Sequence, residues 1–131
     1  MFPARLTETA RLRAFVDVAC DSWGITRAVS YKLHLIVEEL FTNTVKHGHR
    51  GDCDAPVWVG VSCDESALHL TFADQAPAFN PLAHAASISA EQGAVEHKVG
   101  GLGVLLVSEL ACKAEYTYVY GRNRVRLSVR R

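Results

Sequence analysis

Apolar residues along this chain change period several times, and each change marks an element. A short extended segment, Phe2 to Leu6, precedes a helix opening near Thr7, in which Leu12, Phe15, Val16, Ala19 and Trp23 keep helical spacing until Gly24. A longer helix runs from Thr26 or Ser30 to His47, and Gly48 is suited to the left-handed position that closes it. The period then drops to two. Val57, Val59 and Val61 alternate with Trp58, Gly60 and Ser62, and Leu68, Leu70 and Phe72 alternate with His69 and Thr71. These read as two half-buried strands joined by a hairpin at Cys63 to Ser66. Beyond a loose stretch at 76–100, Val104 to Cys112 reads as an apolar helix. Glu115 to Tyr120 and Arg124 to Arg130 follow as strands about a turn at Gly121-Arg122-Asn123. The expected fold is a two-layer α/β sandwich: a mixed, mostly antiparallel sheet with helices on one face and a polar, open second face.

The second helix carries more than a core-facing stripe. Glu39, Asn43 and His47 are each four residues apart. At about 100° per residue they form one narrow band, drifting only ~40° per step. Beside it runs the stripe of Val29, Leu33, Ile36, Val37, Leu40 and Thr44. A carboxylate and an amide at the margin of a buried face are costly to desolvate unless something binds them. A solvated face with ordinary polar residues is the competing explanation.

Composition narrows the class of protein. The chain has 131 residues, 49% of them hydrophobic, so residues 1–131 make one domain with a single core. Basic and acidic residues number 14 each, which gives no broad surface for nucleic acid. The start, Met-Phe-Pro-Ala-Arg-Leu-Thr-Glu, lacks the basic and apolar regions of a signal peptide, and no apolar run reaches membrane-spanning length. Cys20, Cys53, Cys63 and Cys112 include no Cys-x-x-Cys pair. They read as reduced thiols in a cytoplasmic protein without a membrane association.

Two further segments carry candidate chemistry. Val99-Gly100-Gly101-Leu102-Gly103-Val104 lies just before the third expected helix. Glycines allow backbone N–H groups to approach an anion, and a helix N-terminus favours negative charge; a tight turn would have the same composition. The segment lacks both the Gly-Lys-Ser/Thr ending of a Walker loop and the spacing of a dinucleotide fingerprint. In Ala73-Asp74-Gln75-Ala76-Pro77-Ala78-Phe79-Asn80-Pro81, an acid ends a strand before a turn-rich run. Asp74 is placed to cap that turn or to accept a hydrogen bond from an exocyclic amine.

Glu39-x-x-x-Asn43, Asp74 at a strand end and Gly100-Gly101-x-Gly103 before a helix occur in this order on a suitable topology. The chain resembles the ATP-binding fold shared by histidine kinases, gyrase and the mismatch-repair ATPases. Within that group it is similar to the stand-alone anti-sigma factor serine/threonine kinases, over nearly all its length and including the ending Gly121-Arg-Asn-Arg-Val-Arg-Leu127. The resemblance implies ATP or ADP as ligand and Mg²⁺ held by Asn43 while bridging the phosphates. It gives Asp74 the adenine amino group, and Gly100, Gly101, Leu102 and Gly103 the loop around the phosphates. Residues 82–99 become a lid from which Lys98 neutralises phosphate, although a solvated loop lysine accounts for Lys98 as well. Glu39 takes the place of the general base for phosphoryl transfer.

One position departs from the family pattern, which is Asp-x-Gly: Ala76 stands where the glycine would be. If the backbone there needs a positive φ or lies against the base, the methyl is costly. The resemblance further implies a homodimer whose partners are a sigma factor and a small STAS-type antagonist protein that it phosphorylates. The alternative is a nucleotide-gated binding module without significant kinase activity. His47 and His49 with Asp52 lack a complete ligand set for zinc, and no local Ser/His/Asp signature is present. The arginine-rich last strand fits either an acidic partner or a solvated face.

Overall fold

The computed structural model describes residues 1–83 and 109–131. Among the described residues, two long helices cover one face of a five-stranded antiparallel sheet, the α/β architecture expected from the periodicity. The elements are β1 (Phe2–Pro3), α1 (Thr9–Ser22), α2 (Arg27–Asn43), β2 (Pro56–Cys63), β3 (Ala67–Asp74), β4 (Lys113–Val119) and β5 (Arg122–Arg130). The strands lie in the order β1-β2-β3-β5-β4, and each described pairing is antiparallel.

The first expected segment is shorter than its composition suggested. Only Phe2 and Pro3 pair with β2, opposite Val57 and Pro56, and a 3₁₀ turn at Leu6–Glu8 leads into α1. That helix buries Leu12, Val16 and Cys20, whereas Phe15 is 38% exposed and reaches only the edge of Phe2. Gly24 ends this stretch with φ of 63°, a backbone conformation glycine adopts without penalty.

Helix α2 is the central element of the helical layer. Thr26 caps its start by accepting from the Val29 N–H, and Leu33, Ile36, Val37, Leu40 and Phe41 are buried against α1 and the sheet. Beyond Asn43 the helix widens into a π-helical turn, Thr44–Gly48, closed by a bond from the His49 N–H to the Thr44 carbonyl at 2.9 Å. The expected closing role of Gly48 is therefore corrected. Gly48 is not left-handed; the chain reverses at Arg50 and Gly51, with φ of 61° and 141°.

The β2–β3 hairpin forms where expected. Asp64 Oδ1 accepts from the N–H groups of Ser66 and Ala67 at 2.8 and 2.9 Å, fixing the turn locally. The β4–β5 turn falls earlier than expected. Tyr120 and Gly121, both with positive φ, form it, so Arg122 and Asn123 belong to the strand. The inward alternation of Val125, Leu127 and Val129 then extends back to Asn123, which is buried opposite Asp74. Most of the expected helix at 104–112 lies outside the described residues. Its last residue, Cys112, is already beside β5, donating its N–H to the Ser128 carbonyl at 2.9 Å. All four cysteines are free thiols. Among the described residues, no helix is long and apolar enough to cross a membrane.

Candidate functional site

The site collects at the C-terminal end of α2, where the helix meets the ends of β3 and β5. Asp74, the last residue of β3, is only 7% exposed. Its Oδ1 accepts from the Ala76 N–H at 3.0 Å and from Asn123 Nδ2 at 2.9 Å. Its Oδ2 lies 2.8 Å from the Thr44 hydroxyl, which also contacts the Leu40 carbonyl at 3.0 Å. A carboxylate offers about four acceptor positions. Three are engaged among the described residues, so Asp74 caps its turn, and the fourth, on Oδ2, has no partner among them. The capping of the turn by Asp74 is the reading these bonds show.

Asn123 organises the turn that follows β3. Besides Asp74, its Nδ2 donates to the carbonyls of Ala76 and Pro77 at 2.9 and 3.1 Å. Its Oδ1 accepts from the Phe79 N–H at 3.0 Å and from the Tyr116 hydroxyl. Burial raises the pKa of that tyrosine. Neither Asn123 nor Thr44 was singled out as a site residue from sequence. Asn123 sat in an expected turn and Thr44 in an apolar stripe, yet the alternation of β5 already pointed Asn123 inward.

Ala76 is buried and does not have a positive φ, so the backbone strain anticipated there is absent. Its methyl occupies space left by another glycine: a Cβ added at Gly48 would stand 2.8 Å from the Ala76 Cβ. Such a separation is too short for two carbon atoms in ordinary contact. The role of Gly48 is close approach rather than a special dihedral.

Just before Thr44 in the helix, Glu39 and Asn43 are both half-buried, and Asn43 Nδ2 faces Glu39 Oε1 at 3.5 Å. Desolvation raises the pKa of Glu39, opposed by the Asn43 hydrogen bond and the charges of His47 and Lys46. Its neighbour Glu38 belongs to a different environment, accepting from Arg13 Nε of α1 at 2.6 Å. The two adjacent acids thus divide: Glu38 ties helices together, and among the described residues Glu39 has no cationic partner in hydrogen-bond contact. His47, within the π-helical turn, is exposed.

The amide of Asn43, with its nitrogen turned to Glu39, presents Oδ1 as a neutral oxygen ligand next to a carboxylate. That hard-oxygen donor set fits Mg²⁺, which needs few protein ligands. No group of three His, Cys, Asp or Glu side chains suited to a metal converges among the described residues. Lys98, Gly100, Gly101, Leu102 and Gly103 lie outside the described residues, as does the expected lid beyond Ala83.

A Ser–His–Asp chain does occur elsewhere: His69 bridges Ser128 Oγ at 2.8 Å and Asp64 Oδ2 at 2.7 Å. The His69 contact is the largest of several that hold the Asp64 carboxyl well below the usual carboxylate range. The chain lies on the open side of the sheet. Strand β5 is paired on both sides there, so its N–H groups are committed to the ladder and hold no oxyanion.

The buried Asp74 thus lies beside a helix end that carries a half-buried carboxylate and amide, on a sheet covered by helices. Residues 2–129 match the histidine kinase-like ATPase domain, and the chain belongs to that family. Membership points to ATP as the ligand. No curated protein matches the chain closely enough to count as a relative.

Proposed function

We propose that the protein is an ATP-dependent serine/threonine kinase of the anti-sigma type, acting in the cytoplasm on a small STAS-type antagonist and holding a sigma factor by partner switching. The observation that carries this reading is the contrast between Glu38, paired with Arg13, and Glu39, which is desolvated, one turn from Asn43 and raised in pKa. A carboxylate of raised pKa is a stronger proton acceptor, as a general base for an attacking hydroxyl must be.

The residues divide the work by position. Asp74 selects adenine through the lone pair left on Oδ2, while Thr44, Ala76 and Asn123 hold that carboxylate in place. Asn43 Oδ1 would hold Mg²⁺, which when bound neutralises phosphate charge. Glu39 would take the proton of the substrate serine as its oxygen attacks the γ-phosphorus and ADP leaves. A homodimer is part of the same proposal.

The test has two stages. Thermal midpoints with and without millimolar ADP and Mg²⁺ should rise for the wild type by several degrees, corresponding to about 2.7 kcal/mol at ~100 times the dissociation constant. The rise should vanish in Asp74→Ala. Labelled ATP is then incubated with STAS-domain proteins from the same organism, and phosphoserine should appear with wild type but not with Glu39→Gln. A retained ADP shift without transfer to any of them would overturn the kinase reading in favour of a nucleotide-gated binding module.

A further inference from the structure

The sheet face turned away from the helices carries a feature the nucleotide site does not use. Along β5 the outward positions are Arg122, Arg124, Arg126, Ser128 and Arg130, and Lys113 of β4 stands opposite Ser128. The Arg122 guanidinium lies over the Trp58 ring of β2 at 3.9 Å from its centroid. Among the described residues Arg124 reaches only the Thr117 hydroxyl, at 3.3 Å. Glu115 stands 4.0 Å from Arg126, too far for a tight pair, and the Asp64 carboxylate on this side is taken up by His69. A chain with 14 acidic and 14 basic residues therefore concentrates an excess of positive charge on one flat surface. Among the described residues nothing packs over it.

We infer that this open face docks an extended acidic segment of a protein partner, whose alternate carboxylates meet the arginines of β5. Outward side chains recur along a strand every ~6.6–6.8 Å, the repeat of alternate side chains on any extended chain. Each guanidinium offers a planar fork matched to a carboxylate, and the contacts are charge-assisted. Trp58 holds Arg122 flat at one end of the row, which reduces the ordering cost of binding there.

Other occupants fit less well. A second copy related by a two-fold axis would set the arginine row against itself. Nucleic acid gains from a net positive chain and from exposed aromatic platforms for bases; here the formal net charge is zero, and the Trp58 ring is already covered by Arg122.

The inference is independent of the nucleotide reading, because Asp74 faces the helices from the other side of the sheet. Fluorescence anisotropy tests it with a labelled peptide of about twelve residues alternating Glu and Thr, against its Gln–Thr counterpart and an oligothymidine of similar length. The Glu peptide should bind the full chain, and raising salt from about 50 to about 500 mM should weaken it. The pair Arg124→Glu and Arg126→Glu should weaken it by about tenfold or more. The milder pair Arg124→Gln and Arg126→Gln should weaken it in the same direction while leaving the thermal midpoint and its Mg²⁺–ADP shift in place. Absence of binding, binding indifferent to these substitutions, equal binding of the Gln peptide, or displacement by oligothymidine would each overturn the inference.

Discussion

Asn123 stands opposite Asp74 in the β3–β5 register and donates from Nδ2 to its Oδ1 across 2.9 Å. Both residues are buried, at 7% exposure each, so the pair is a polar contact inside an otherwise apolar layer. The Ala76 N–H and the carbonyls of Ala76 and Pro77 are all held by this pair.

Replacing Asn123 with Ala should cost about 1–3 kcal/mol, because the carbonyls of Ala76 and Pro77 and the Phe79 N–H lose a partner together. Urea unfolding measures this, and the thermal shift given by Mg²⁺–ADP should shrink in the same variant. Asn123→Asp should lose more, since a second carboxylate would face Asp74. Repulsion between them favours a shared proton, so the deficit should be smallest at acid pH and grow as pH rises through the raised carboxyl pKa.

Gly48→Ala sets two effects against each other. Alanine restores about 0.5–1 kcal/mol of helical preference, while its Cβ meets the Ala76 methyl at 2.8 Å. The clash should win, with a net loss of about 1–3 kcal/mol. In an Ala76→Gly background the same change should be neutral or stabilising. A double-mutant cycle by urea unfolding reads the coupling directly, and additive effects would show that the two sites do not touch.

Glu39→Gln separates stability from chemistry. Burial raises the folded-state pKa of Glu39 above its ordinary value, so the charged form is the disfavoured one. Stability is therefore highest below the unfolded pKa, about 4.3, and is lost as pH rises through the raised folded value. Gln carries no such charge. The variant should be more stable than wild type at neutral pH, with the difference vanishing as pH falls below the ordinary carboxylate range. Phosphoryl transfer should be abolished while the Mg²⁺–ADP thermal shift persists.

Glu38→Gln provides the contrast one residue away. Its carboxylate pairs with an Arg13 side chain that is 60% exposed, and such pairs contribute only about 0.2–1 kcal/mol. A small loss in thermal midpoint that diminishes at high salt is expected, with transfer activity and the nucleotide shift unchanged.

The parts of this molecule that were legible in its sequence are those governed by period. Glu39 and Asn43 could be placed together because helical spacing puts them on one band, and Asp74 could be placed at a strand end because the alternation of Leu68, Leu70 and Phe72 stops there. What escaped depended on backbone details that composition disguises. Tyr120 adopts a φ of 55°, rare for a bulky residue, and this moves the hairpin turn toward the N-terminus and brings Asn123 into the ladder. Gly48 looked like a helix terminator by residue type, but the π-helical turn carries the reversal on to Arg50 and Gly51. Thr44 read as part of an apolar stripe because a hydroxyl that serves a buried acid has the same periodicity as the core.

The spacing of Asp74 and Asn123, 49 residues apart in the chain, also sets an order of events during synthesis. At about 5–20 residues per second, β5 emerges some seconds after β3. Until then β3 lacks one neighbour and the turn at Ala76 and Pro77 lacks its anchoring amide. The Asp74 turn therefore matures late, through a non-local closure of the kind that slows folding. On the role proposed for Asp74, nascent chains would be blind to nucleotide until that strand arrives, and binding competence would report the completion of the sheet.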